Sequence, residues 1–274
     1  MGEPLSTSVD FPEILEQDFG YTRREAEFLM LAGIHSGYFT MRHFRQVTGL
    51  KAGKTSQNLL DRVIENKHAT RLRSFTKAVR VLGFTDNFCD LIEVPTRRQH
   101  EARERLQILD YVIANQHLDY LQRESDKVRH FRQMGIADRL MSRQNGHFFD
   151  DRLPIFRAVK APGFVFVDSG TMAPWESFLD RYAPLFNALK AVRLVFATTS
   201  PDPRRGIKTF ETKCAKVDDE VYELRRLKAM PLRLLGAPEL QRMKRLEDSV
   251  GGIESLSGIR LEQYHLGQQY RFLD

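Results

Sequence analysis

The stretch TMRHFRQVTGLKAGKTSQNLLDRVIEN, residues 40–66, decides how the chain is read. Thr40 is a residue type that caps helix N-termini, and the short helix behind it holds Phe44 and Val47 before Thr48-Gly49 ends it. Leu50-Lys51-Ala52-Gly53 makes a turn, and a further helix runs from about Thr55 to Asn66. Leu59, Leu60, Val63 and Ile64 recur at helical spacing and form its core face. Lys54, Thr55, Gln57, Asn58, Asp61 and Arg62 avoid that stripe and are left to face outward.

Upstream, Thr22 with Glu25 three residues on is a capping-box pattern. It opens a helix carrying Phe28, Leu29, Leu31, Ala32 and His35 that stops at Ser36-Gly37. Downstream, residues 69–75 and 78–84 read as two strands around a tight turn near Thr76-Lys77. Helix, short helix, turn, helix and basic hairpin is the order of a winged helix, expected here over residues 21–85. Residues 1–20 read as an N-terminal arm ending in a short amphipathic piece. His43 reads as an exposed or half-buried spacer on the short helix.

Charge follows the same boundaries. Residues 1–20 hold five acids and no base, whereas residues 21–85 hold twelve Lys or Arg against four Asp or Glu. Concentrated positive charge suits a polyphosphate, because each neutralised phosphate releases a counterion. The expected partner is double-stranded DNA, met by the helix over 54–66 and by a basic wing over 69–84. Gln57 and Asn58 suit bidentate contact with adenine, and lysine and arginine suit phosphate or guanine. The candidate interface is therefore Arg42, Arg45, Lys51, Lys54, Thr55, Gln57, Asn58 and Arg62, with Arg71, Arg73, Lys77 and Arg80 on the wing. A homodimer is expected, since one winged helix reads few base pairs.

Residues 86–145 read as a helical connector, broken by Pro95 and carrying an apolar seam at Leu106, Ile108, Leu109, Val112 and Ile113. Its alternative role is a dimerisation helix. Residues 146–274 read as an α/β domain with a small, partly parallel sheet, which makes the whole chain α+β. Residues 147–151 and 153–157 are expected to be extended, with Pro154 between them. Phe164-Val165-Phe166-Val167 is a buried strand ending at Asp168-Ser169-Gly170-Thr171. A helix over about 174–190 and a second buried strand over 192–197 complete a crossover unit with parallel strands. Helices are expected over 216–229 and 237–249, then extended pieces over 259–264 and 270–273.

A winged helix, a charged helical connector, a strand ending in Asp168-Ser169-Gly170-Thr171, the helix beginning Glu176-Ser177-Phe178-Leu179-Asp180-Arg181-Tyr182, and a strand ending in Thr198-Thr199-Ser200 together resemble the replication-relaxation family of bacterial plasmids and integrated mobile elements. The resemblance covers about residues 20–205. It implies a winged helix joined to a domain similar to restriction endonucleases, and a role in replication, mobilisation or regulation of a mobile element. An active nuclease of that kind would use Asp150 or Asp151 and Asp168 as metal-holding carboxylates, followed by a lysine. Gly170 stands where the lysine belongs, and Lys160 precedes the strand. The expectation is a non-catalytic relative without a cofactor, whose second domain mediates self-association or contacts with a protein partner. The remaining alternatives are a metal-dependent nuclease using Asp151 and Asp168, and a protein-interaction adaptor.

Other classes find no foothold. There is no Walker motif, dinucleotide glycine fingerprint, His-Glu-x-x-His or Gly-x-Ser-x-Gly. Cys89 and Cys214 lie far apart and read as structural thiols. No apolar run reaches the length of a membrane span, and a cytoplasmic location is expected.

Overall fold

Among the described residues of this mixed α+β protein are two sheets, one of three antiparallel strands and one of five mixed strands. The computed structural model describes residues 11–71, 78–81, 99–141, 143, 146–150, 152–158, 161–168, 173–202, 204–231, 235–250 and 256–267. These fall into two units, one up to Gln116 and one from His117 to Gly267.

The first unit runs α1 (Phe11–Phe19), α2 (Arg23–His35), β1 (Tyr38–Thr40), α3 (Met41–Thr48), α4 (Lys54–Glu65), β2 (Ala69–Arg71), β3 (Ala78–Val81) and α5 (Gln99–Ala114). The strands lie in the order β1-β3-β2, with Tyr38 and Thr70 both opposite Arg80. The capping box of α2 is formed: Thr22 N–H donates to Glu25 Oε2 at 2.8 Å. Phe28 meets Phe39 and Phe44 edge-on, each at 5.2 Å between ring centres. Leu15, Leu59, Val63, Leu109 and Ile113 close the same core.

Two boundaries differ from the expectation. Residues 1–20 are not simply an arm, since α1 packs on α2 and Leu15 is fully buried. The expected connector over 86–145 is divided. The apolar seam of α5 is buried against β1, α2 and α3, so this helix belongs to the first unit. The rest of that stretch opens the second unit with β4 (Asp119–Tyr120), α6 (Glu124–Gln133) and a single 3-10 turn, Asp138–Leu140.

The second unit continues with β5 (Ile155–Arg157), β6 (Gly163–Val167), α7 (Ala173–Leu189), β7 (Val192–Thr198), α8 (Arg204–Ala229), α9 (Ala237–Val250) and β8 (Ile259–His265). Its strand order is β4-β5-β6-β7-β8. The β4, β5 and β6 pairings are antiparallel; β6 with β7 and β7 with β8 are parallel, so the expected crossover through α7 is present. Every residue of β6 is buried, as a strand covered on both faces requires. Phe164, Phe166, Trp175, Phe178, Tyr182, Phe186 and Phe196 fill the core, with Phe166 and Phe196 stacked at 5.9 Å.

The helix expected from 216 begins at Arg204 instead. Gly206 reads as a helix breaker, but here it permits close approach. A Cβ there would strike the Phe196 ring, and Trp175 Nε1 donates to the Gly206 carbonyl at 3.1 Å. Of the extended piece expected over 147–151, the described residues 147–150 form no strand of the sheet, and side chains take up two of their backbone N–H groups. Phe148 N–H donates to Glu124 at 2.5 Å and Asp150 N–H to Tyr182 Oη at 3.0 Å. The extended piece expected over 270–273 lies outside the described residues.

Gly163 sits against Phe156, and any Cβ at 163 would fall inside that ring. Gly163→Ala is expected to lower stability by about 1–3 kcal/mol through overpacking, read as a lower urea midpoint. An unchanged midpoint would mean that the ring can move aside.

Candidate nucleic-acid interface

The pair α3 and α4 is set by the turn between them. Gly49 takes φ 71°, a left-handed conformation that residues with a Cβ rarely adopt, and its N–H donates to Arg45 O at 2.9 Å. That closes α3 and redirects the chain into the exposed Lys51-Ala52-Gly53 and then α4. Leu59 and Val63 are fully buried, which turns the opposite face of α4 to solvent.

The outward face is electrically uneven. Lys51, Lys54, Thr55, Gln57 and Asn58 are exposed at its N-terminal end. Asp61 and Glu65 follow towards the C-terminal end. Among the described residues, Lys51, Lys54, Thr55 and Asn58 have no side-chain hydrogen bond or ion pair within the chain. Gln57 has one: its Nε2 donates to Asp61 Oδ1 at 2.7 Å.

Three expected arginines are occupied to different degrees. Arg62 donates to Gly20 O at 2.7 Å and Glu25 Oε2 at 3.0 Å, and its guanidinium lies 5.6 Å from the centre of the Tyr21 ring. It ties α4 to the start of α2 rather than pointing away from the unit. Arg42 is ion-paired with Asp110 of α5 and donates to Gln46 Oε1 at 3.3 Å. Arg45 is half-buried and its Nε donates to Met41 O at 3.1 Å. Arg71 and Arg80 belong to β2 and β3, with Arg80 on the central strand opposite Tyr38 and Thr70. Arg73 and Lys77 lie outside the described residues.

His43 departs most from its reading, being fully buried instead of exposed or half-buried. Its Nδ1 lies 3.0 Å from the Thr40 N–H, so Nδ1 must accept. The neutral ring therefore carries its proton on Nε2, which donates to Asp110 Oδ1 at 3.1 Å. Arg42 and His43 thus converge on one carboxylate oxygen. The signal in the sequence was Thr40 with a hydrogen-bonding residue three positions on, a capping box with histidine in place of the usual Glu or Gln. Burial pushes the His43 pKa down, against the upward pull of its hydrogen bond to Asp110. His68, whose Nδ1 lies 2.9 Å from Tyr21 Oη, is likewise lowered by burial.

In the second unit the expected carboxylates among the described residues each have partners of their own. Asp168, at the end of β6, accepts from Thr198 Oγ1 at the end of β7 at 2.7 Å. Asp150 is paired with Arg181 and accepts from Tyr182 Oη at 3.1 Å. Burial raises the Tyr182 pKa, with the Asp150 charge next. Asp151, Lys160 and Gly170 lie outside the described residues. Among the described residues, no group of three or more His, Cys, Asp or Glu side chains converges as metal ligands would. Cys214 is half-buried on α8, where burial and then Asp218 and Glu211 push its thiol up to about 11. Cys89 is not among the described residues. No helix among them is long and apolar enough to cross a membrane.

No protein-family model, curated protein or solved structure matches the chain. The resemblance to the replication-relaxation family therefore rests on the sequence motifs alone.

Two outcomes follow for the Asp110 node. Asp110→Ala leaves a buried imidazole N–H and a half-buried guanidinium without their acceptor; a loss of about 2–3 kcal/mol is expected in chemical denaturation. The lowered pKa of His43 means that the folded state favours the neutral ring. Its contribution is complete above about pH 6.5 and is lost as pH falls below that value, because the unfolded chain takes up the proton first. His68 acts in the same sense. The Tm of the first unit should fall between pH 7 and 5, and His43→Gln should flatten that limb; an equally steep limb in the variant would count against the assignment.

Proposed function

We propose that the chain binds double-stranded DNA through a winged-helix first unit, with the N-terminal half of α4 entering the major groove. The observation that carries this reading is the stretch Lys51 to Asn58, exposed at every position but Ser56. It places two lysines, a threonine and two carboxamides at the start of a helix whose opposite face is core. The element order supports it. A helix, a short strand, two helices and two strands, with the first strand paired to the last, is the winged-helix arrangement. Asp61 and Glu65 favour entry by the N-terminal end, since carboxylates pressed towards phosphates would be repelled.

With Arg62 and Arg42 held inside the unit, the phosphate contacts fall to Lys51, Lys54 and Arg45, together with the basic residues of the hairpin. In this reading the chain is a sequence-specific regulator or accessory factor of a mobile element, as the motif resemblance implies, acting as a dimer on two half-sites. The second unit is a non-cleaving relative of a restriction-endonuclease core that mediates contacts between copies or with a partner. Its Asp168 caps the neighbouring strand through Thr198.

Fluorescence anisotropy with labelled duplexes between 50 and 200 mM salt tests this. Lys51→Ala combined with Lys54→Ala should weaken binding to every duplex and reduce the log–log salt slope by about 0.9 for each phosphate that is no longer neutralised. Failure of the unaltered protein to bind any duplex at low salt, or an unchanged slope in the double variant, would overturn the reading.

A further inference from the structure

We propose that Gln57 reads an adenine in the major groove and that Asp61 is the positioning residue that makes it choose adenine over guanine. This rests on the reading of α4 as the groove-entering helix. Both side chains lie one helical turn apart, and Gln57 Nε2 donates to Asp61 Oδ1 at 2.7 Å. A carboxylate can only accept, so the amide nitrogen is the end of Gln57 that faces Asp61. The carboxamide is thereby biased towards one orientation before any DNA arrives.

What Gln57 has left is one N–H and the acceptor Oε1, both in the plane of the same amide and both on an exposed side chain. Adenine presents the matching pair in the major groove, N7 as acceptor and the N6 amino group as donor. Guanine presents two acceptors, O6 and N7. A carboxamide can satisfy both only by turning both of its N–H bonds towards the base, and in Gln57 one of them is committed to Asp61. Asp61 therefore disfavours the guanine mode and leaves the adenine mode intact. Asn58, also exposed, has no such partner among the described residues, so its amide is free to turn either edge to a base. The carboxylate has a second effect. As a negative charge near the duplex it weakens binding to every sequence alike, a cost separable from its effect on base choice.

The experiment uses the full chain. A pool of double-stranded oligonucleotides with a randomised core yields the preferred site, and affinities are then measured for all four base pairs at each position. The proteins compared are the unaltered chain, Q57A, D61A and D61N, with thermal melting to confirm that each is folded. At one position per half-site, adenine should be preferred over guanine by about tenfold in the unaltered chain, the worth of one good bidentate pair. Q57A should lose that preference. D61A should narrow the preference of adenine over guanine by about twofold, the worth of one exposed side-chain pair on a helix. D61N keeps an acceptor oxygen for Gln57 and should retain the preference. Both Asp61 variants remove the same charge and should bind all duplexes more tightly, so charge alone cannot separate them.

An unchanged adenine preference in Q57A or D61A, or a loss in D61N equal to that in D61A, would overturn the proposal. A base preference that nowhere depends on Gln57 would also overturn it while leaving the proposed function standing; duplex binding without any base preference would overturn it together with the sequence-specific part of that function. No duplex binding at all would remove both.

Discussion

One carboxylate on α5 holds the first unit in its working shape. Asp110 is almost wholly buried and takes hydrogen bonds from two side chains of α3, Arg42 and His43. A buried charge without partners is expensive, and here it is met by one cation and one neutral donor whose tautomer is set from the other side by Thr40. The tilt of α3 is thus specified by polar groups of fixed geometry as well as by the Phe28, Phe39 and Phe44 cluster. Because α4 follows α3 through a five-residue turn that opens at Gly49, its outward face inherits that precision. Apolar packing alone would tolerate small rotations of α3; a carboxylate shared by a guanidinium and an imidazole does not.

The positive charge of this unit divides into two populations that composition cannot separate. Arg42 and Arg62 reach inward, to Asp110 in one case and to Glu25 and the Gly20 carbonyl in the other. Lys51 and Lys54 are left in solvent. Arginine suits the first role because its planar fork can bond several acceptors at once, and lysine suits the second because its ammonium remains hydrated and mobile. A surplus of basic residues therefore overstates the charge available to a polyanion. The effective surface is smaller and lies closer to the start of α4.

The local periodicities were readable. Residues 59, 60, 63 and 64 give the buried stripe of α4, Thr22 and Glu25 the start of α2, and the runs at 164–167 and 192–197 the two parallel strands. What escaped was set by partners distant in sequence. His43 finds Asp110 sixty-seven residues away, and Arg62 finds Gly20 forty-two residues away. Neither distance leaves a mark in a local window. The start of α8 was hidden for a similar reason: Gly206 lowers local helix propensity, but Phe196 on β7 needs its bare backbone. The outward face of α4 was legible as a set of residue types. The hydrogen bond that orders Gln57 against Asp61 needed coordinates.

β7 and β8 are hydrogen-bonded neighbours over a seven-residue register, yet about sixty residues of chain, including α8 and α9, separate them. Closing so large a loop costs entropy before the ladder returns any of it, so strand addition at that edge belongs to the late events of folding. Helix pairs near the start of the chain meet across far shorter separations and can assemble sooner, including during synthesis, when N-terminal segments emerge first. Until Ile259–His265 docks, β7 keeps an unpaired margin rich in Val, Leu and Phe. Unit two therefore passes through a stage prone to association, and its yield on refolding should depend more on chain concentration than that of unit one.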